Sequence, residues 1–280
     1  FKGKSHFGEN VTFDETLPTN YLADEVIDDN KVNELLSKKY NETIVIAEDD
    51  SEILAYLKDE LSTNFRVIAV NNGYDAVKAV MDDEVSLILS DVLMPALNGF
   101  QLCSNIKSNI ATCHIPIVLL TALSDDNQRI YGIAEGADEY IHKPFNMQYV
   151  RLKIIRIIEE RKRLASTFAQ KFGRLTRHEA ANLPCVDDVF RDKLFNLIEA
   201  QHSDSNFKIE LMSDMLGMSR ILLYRKITSI FGMSPSDLLR NFRLQKAVQL
   251  LTDQRRNVSE VAYIAVSYTH LRAHETEADL

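Results

Sequence analysis

Leu87-Ile88-Leu89-Ser90-Asp91-Val92-Leu93-Met94-Pro95, with Gly99 four residues on, is an apolar run that delivers one aspartate into a loop. Other runs of the same build lie on either side of it. Thr43-Ile44-Val45-Ile46-Ala47 leads to Glu48, Asp49 and Asp50; Pro116-Ile117-Val118-Leu119-Leu120 leads to Thr121; Tyr140-Ile141-His142 leads to Lys143-Pro144. Apolar, β-branched runs of this length read as buried strands of a parallel sheet. In an open parallel α/β sheet the ligand crevice lies outside the carboxyl ends of the strands, where strand order reverses. Each of these strands therefore ends in a carboxylate, a hydroxyl or an ammonium at the place where chemistry is done.

Carboxylates gathered in one crevice repel one another, and a divalent cation with a preference for hard oxygen ligands relieves that repulsion. Magnesium is the expected occupant. A lysine and a hydroxyl opposite it suit the remaining oxygens of a transferred phosphoryl group, whose transfer needs mostly positioning and charge neutralisation. Asp91 is then the candidate nucleophile, forming an acyl phosphate.

Over about Glu42 to Glu160 these residues resemble the receiver domain of two-component response regulators. The resemblance implies a flavodoxin-like, doubly wound, five-stranded parallel sheet. It makes Glu48 and Asp49 the acidic pair, Asp91 the phosphoacceptor, Thr121 the switch hydroxyl, Tyr140 the switch aromatic and Lys143 the conserved cation. Pro144 follows with the peptide bond that is usually cis in the family, and the backbone carbonyl of Leu93 joins Glu48, Asp49 and Asp91 as a metal ligand. Asp50 falls where the family varies and is left out of the site. The competing enzyme class, the aspartyl-phosphate phosphatases, needs a second acid two residues after the nucleophile, where this chain has Leu93.

Between the strands, Ile53, Leu54, Leu57 and Leu61 lie at the spacing of an amphipathic first helix. Ala76, Val77 and Val80 line a second, Leu102, Cys103 and Ile106 a third, residues 129–134 a weaker fourth, and a fifth runs from the Asn146 cap to Arg163. Cys103, His114 and His142 read as structural.

Length and composition set the wider bounds. The 280 residues suffice for about two domains. With 45% hydrophobic and 26% charged residues, the chain has the balance of a soluble globular protein. Cys103, Cys113 and Cys185 show neither paired nor metal-ligand spacing and read as reduced thiols. No run is long and apolar enough for a membrane span, and no signal peptide is seen, so a cytoplasmic location without membrane contact is expected. The net charge of −9 hides an asymmetry: residues 41–146 hold 6 Lys+Arg and 17 Asp+Glu, or −11, whereas residues 208–256 hold 9 against 4, or +5. Two halves of opposite sign point to different partners.

Residues 1–40 could hold a hairpin over 1–13 and a short helix at Val32 to Leu36. They resemble the end of a histidine kinase's ATP-binding domain and its linker, as in hybrid sensors; a disordered leader is the other reading. Residues 41–163 are the receiver and 164–186 a linker. A second, all-α domain spans 187–266. In it Phe190, Leu194, Leu197 and Ile198 form an amphipathic helix, and Ile209 to Met215, Gly217 and Ser219 read as helix, tight turn and cap of a further helix from Arg220 to Phe231. Leu223, Ile227 and Ile230 would face its core, leaving Arg220, Tyr224, Arg225 and Lys226 for base edges and phosphates.

With Leu-Tyr-Arg-Lys at 223–226, Gly-Met-Ser-Pro at 232–235 and a long helix after it, this domain resembles the AraC family of transcription regulators, whose two helix-turn-helix units are joined by one long helix. The pattern fails beyond Tyr263, where no Gly-Phe turn appears, and residues 267–280 read as a non-native tail. The expected whole is a regulator in which a histidine kinase phosphorylates Asp91, with Mg2+, and so switches binding to double-stranded DNA, with a homodimer on activation. A phosphorelay or interaction module without DNA binding is the alternative.

Overall fold

The computed structural model describes residues 29–122, 136–172 and 187–252. They fall into two compact units: the first comprises residues up to 106 together with 115–157, and the second comprises 107–114 together with 158 onward. The hairpin expected over 1–13, the weak fourth helix at 129–134, Cys185, the second helix-turn-helix and the tail lie outside the described residues.

The first unit alternates strand and helix. Its elements are α1 (Asp29–Ser37), β1 (Thr43–Ala47), α2 (Ser51–Ser62), β2 (Arg66–Val70), α3 (Gly73–Asp82), β3 (Leu87–Asp91), α4 (Gly99–Ser108), β4 (Ile117–Thr121), β5 (Glu139–His142) and α5 (Met147–Phe172). All ladders are parallel, in the order β2-β1-β3-β4-β5. The chain moves from β1 outward to β2 and then back past β1 to β3, so the strand order reverses between β1 and β3. Every residue of β1, β3 and β4 is buried, as expected for strands covered on both faces. This is the flavodoxin-like receiver fold that the resemblance implies.

Local chemistry sets the helix ends. The Asp50 side chain accepts the Glu52 and Ile53 N–H groups at 2.8 and 3.1 Å and starts α2. That contact uses up the third acid of the run and leaves Glu48 and Asp49 for the crevice. Leu57 and Leu61 bury the inner face of α2, and Leu102, Cys103 and Ile106 that of α4. The Asn146 side chain accepts the Gln148 N–H at 2.8 Å ahead of α5.

Helix α1 is stapled to this unit at its C-terminal end. The Asn64 amide donates to Leu36 O and Lys38 O at 2.8 and 2.7 Å, and Arg151 of α5 donates to Leu36 O at 3.1 Å and to Asn64 Oδ1 at 2.6 Å. Asn64 is almost wholly buried, and a cation at a helix C-terminus suits the helix dipole.

Helix α5 corrects the expected domain limits. It continues past residue 163 to Phe172, so residues 164–172 are helix and not linker. The reason is packing: Ala165, Phe168 and Phe172, spaced i, i+3, i+7, are all buried. In the second unit they join α6 (Asp188–Gln201), α7 (Ile209–Met215), α8 (Arg220–Phe231) and α9 (Pro235–Thr252). An aromatic cluster makes this core. Ring centroids lie 5.2 Å apart for Phe168–Phe172, 4.8 Å for Phe168–Phe231 and 6.0 Å for Phe195–Phe231. Between α7 and α8 the chain turns at Gly217, whose φ of +69° favours glycine, and Ser219 then accepts the Leu222 N–H at 3.3 Å. The helix-turn-helix reading of this stretch is thus met in detail.

Candidate functional site

The strand reversal places the carboxyl ends of β1 and β3 side by side, with Ala47 in register with Ser90. Glu48, Asp49 and Asp91 each offer a carboxylate oxygen, and these oxygens all lie within 4.8 Å of one another. Glu48 and Asp91 are buried and Asp49 is exposed. On the far side β4 and β5 pair Thr121 with His142, and the Lys143 N–H donates to Thr121 O at 2.7 Å. Thr121 is buried at the end of β4.

Lys143 closes the crevice. Its Nζ lies 2.8 Å from Glu48 Oε2 and 3.0 Å from Asp91 Oδ2. The peptide bond between Lys143 and Pro144 is cis. Burial alone would lower the lysine's pKa, but the bonds and charges of Glu48 and Asp91 outweigh it and hold the ammonium above its ordinary value. Burial, reinforced by the charge of Asp91, pushes Glu48 up to about 7 against the pull of Lys143. Three close carboxylates against one cation leave excess negative charge, which fits a divalent cation with oxygen ligands.

The loop after Asp91 is built to hold that residue still. A Cβ on Gly99 would stand 2.3 Å from Asp91 O and 2.9 Å from Val92 Cα, both backbone atoms. Gly99 is therefore required by close approach. The buried Ser90 hydroxyl donates to Asp91 O at 2.8 Å, a contact that nothing in the linear pattern marks. Leu93 carries an exposed side chain, so only its carbonyl is of interest. Tyr140 is half-buried within β5, packed against the core cluster that includes Val45 and Ile88.

On α8 the expected DNA-contact set is split. Tyr224 is exposed, Arg225 is half-buried, and Arg220 is exposed and paired with Glu210 of α7 at 3.1 Å. Lys226 is a correction: its side chain is 0% exposed. Its ammonium lies 2.6 Å from Asp187 Oδ2, donates also to Ile110 O, and sits 4.5 Å over the Phe190 ring. It shares the inner face of α8 with Leu223, Ile227 and Ile230, and a side chain so placed cannot reach a base or a phosphate.

Comparison with known proteins agrees with this division. The family model of the response regulator receiver domain matches residues 44–155, and that of a helix-turn-helix domain of AraC type matches residues 212–273. Histidine kinase P4 of Formosa agariphila is 35% identical over 249 residues, 89% of this chain but 18% of that protein. The transcriptional regulatory protein GltR of Pseudomonas aeruginosa is 38% identical over 113 residues, 40% of this chain and 47% of GltR. This chain thus spans less than half of either relative. The receiver domain of a signal transduction histidine kinase from Syntrophus aciditrophicus is 34% identical, with a TM-score of 0.42, covering 44% of this chain and 93% of that one. Among the described residues, no helix is long and apolar enough to cross a membrane. Residues 44–155 belong to the response regulator receiver family, and residues 212–273 to the AraC-type helix-turn-helix family.

Proposed function

We propose that the chain is the output portion of a two-component system, in which a phosphoryl group taken from a histidine kinase onto Asp91 controls binding of the second unit to double-stranded DNA. The observation that carries this reading is the convergence of Glu48, Asp49, Asp91 and Lys143 at the strand reversal. Asp91 Oδ attacks phosphorus as the N–P bond of a phosphohistidine breaks, and the imidazole leaves with the electron pair of that bond. Lys143, already in contact with the nucleophile, is placed to pair with a phosphoryl oxygen, and the Thr121 hydroxyl lies on the neighbouring strand end to take another. Glu48, Asp49, Asp91 and the Leu93 carbonyl would hold Mg2+, which when bound neutralises phosphoryl charge in the crevice. Exchange of the Asp91–Lys143 pair for a phosphoryl–Lys143 pair shifts an existing equilibrium of the domain, with Tyr140 and Thr121 as its reporters. The chain works in the cytoplasm, where its kinase donor works, and activation pairs two chains on DNA.

The test is intact mass after incubation with Mg2+ and acetyl phosphate. One added phosphoryl group, present in wild type, absent in Asp91→Asn and lost in alkali, is the expected result. No addition to a folded chain, or equal addition to Asp91→Asn, overturns the reading of the site.

A further inference from the structure

The helix that would enter the DNA groove is unusual in where its charges go. In a helix-turn-helix, the N-terminal residues of the second helix meet base edges. Here that helix is α8, and its first turn holds Arg220 and Ile221. At about 100° per residue, Leu223, Ile227 and Ile230 define the buried side, Ile221 and Arg225 fall on the opposite side, and Tyr224 stands at its edge. Ile221 is 63% exposed and Tyr224 53%. Arg220 is drawn back to Glu210 at 3.1 Å, and Lys226 faces the core. The first turn of the reading face thus presents a branched aliphatic side chain to solvent.

An aliphatic side chain at that position makes no hydrogen bond to a base. The apolar feature that standard base pairs offer in the major groove is the C5 methyl of thymine. Resting on the reading that this chain binds duplex DNA, we infer that Ile221 is a specificity-determining residue that reads a thymine methyl group, with the Tyr224 ring extending the same apolar contact.

The methyl can be removed without touching base pairing, because uracil pairs with adenine as thymine does. Duplexes are first selected from a random-sequence pool by the full chain at low salt. Each thymine of the winning site is then replaced singly by uracil, and binding is measured for wild type and Ile221→Ala. At one position the wild type loses about fourfold in affinity, the worth of one buried methyl group. Ile221→Ala binds the thymine site more weakly by a similar or larger factor and is indifferent to uracil there, so the two changes are not additive. The exposure of Ile221 keeps the variant folded, which far-UV dichroism verifies. Wild-type binding unaffected by uracil at every position, or an Ile221→Ala chain that still feels the methyl as wild type does, overturns the inference and leaves DNA binding standing. No enrichment of any duplex at low salt overturns DNA binding itself.

Discussion

Lys226→Met separates a lysine that holds the fold from one that holds DNA. In the folded chain the ammonium has Asp187 Oδ2 at 2.6 Å, Cys113 Sγ at 3.2 Å and the Ile110 carbonyl around it, with the Phe190 ring alongside. Methionine keeps most of the stem's volume and deletes the charge, so the main loss is electrostatic. Removing one partner of a buried pair costs about 3–5 kcal/mol, because the other charge is left uncompensated. Asp187 still accepts from Phe190 N at 2.9 Å and Cys113 Sγ at 3.0 Å, and its side chain is 11% exposed, which favours the low end. The expected loss is about 3 kcal/mol, or about a hundredfold in the ratio of closed to open forms. Native-state hydrogen exchange at the α8 amides measures it without requiring one all-or-none transition of a two-unit chain. Adding Asp187→Asn removes the stranded charge while keeping the cap on α6, and most of the loss should return. In parallel, the log-log salt dependence of DNA binding should be the same for Lys226→Met and wild type, whereas a phosphate-contacting lysine would take about 0.9 off the slope. A stability loss below about 1 kcal/mol, or a shallower salt slope, would refute the inward placement of Lys226.

Three further outcomes follow from the geometry. Burial first, then the charges of Lys226 and Arg161, pushes His114 down to about 3, so the folded chain leaves it neutral while the unfolded chain protonates it below about 6.5. Stability of the second unit should therefore fall as pH drops below that value, by up to about 1.4 kcal/mol per unit, and His114→Phe should flatten the pH dependence of hydrogen exchange there. Gly99→Ala drives a Cβ into Asp91 O, so the loop after Asp91 must move; about 1–3 kcal/mol of stability and much of the rate of phosphorylation by acetyl phosphate should be lost, and unchanged values of both would refute the contact. Asn64→Ala removes the amide that holds Leu36 O and Lys38 O, and faster amide exchange in α1, with the site chemistry intact, is the expected signature.

Most of the candidate site's placement in the fold was legible because strands write their ends plainly. An apolar, β-branched run stops where the chain leaves the buried sheet, so Asp91, Thr121 and Lys143 announce themselves as residues at the crevice. The side-chain type misled at Lys226. Helical spacing sets it among Leu223, Ile227 and Ile230, but a lysine on a suspected DNA-binding helix invites an outward reading. Its partner Asp187 lies 39 residues away and no periodicity marks the pair. Residues 164–172 failed differently: the spacing of Ala165, Phe168 and Phe172 was present, but a short polar stretch masked it. The Ser90 and Asn64 contacts join backbone atoms to side chains, and pattern reading has no access to them.

The staple on α1 changes what counts as the domain for anyone who would cut it out. A fragment begun at residue 41 has a complete sheet and a complete acidic crevice, yet it lacks the two carbonyls that the Asn64 amide and the Arg151 guanidinium were folded to meet. In such a fragment those donors turn to water instead, a loss of about 0.5–1.5 kcal/mol per bond, and a few such losses are a large share of what a domain of this size has to spare. A fragment that keeps these bonds must include Leu36 and Lys38, so the end of the short helix that reads as leader is part of the receiver's own foundation.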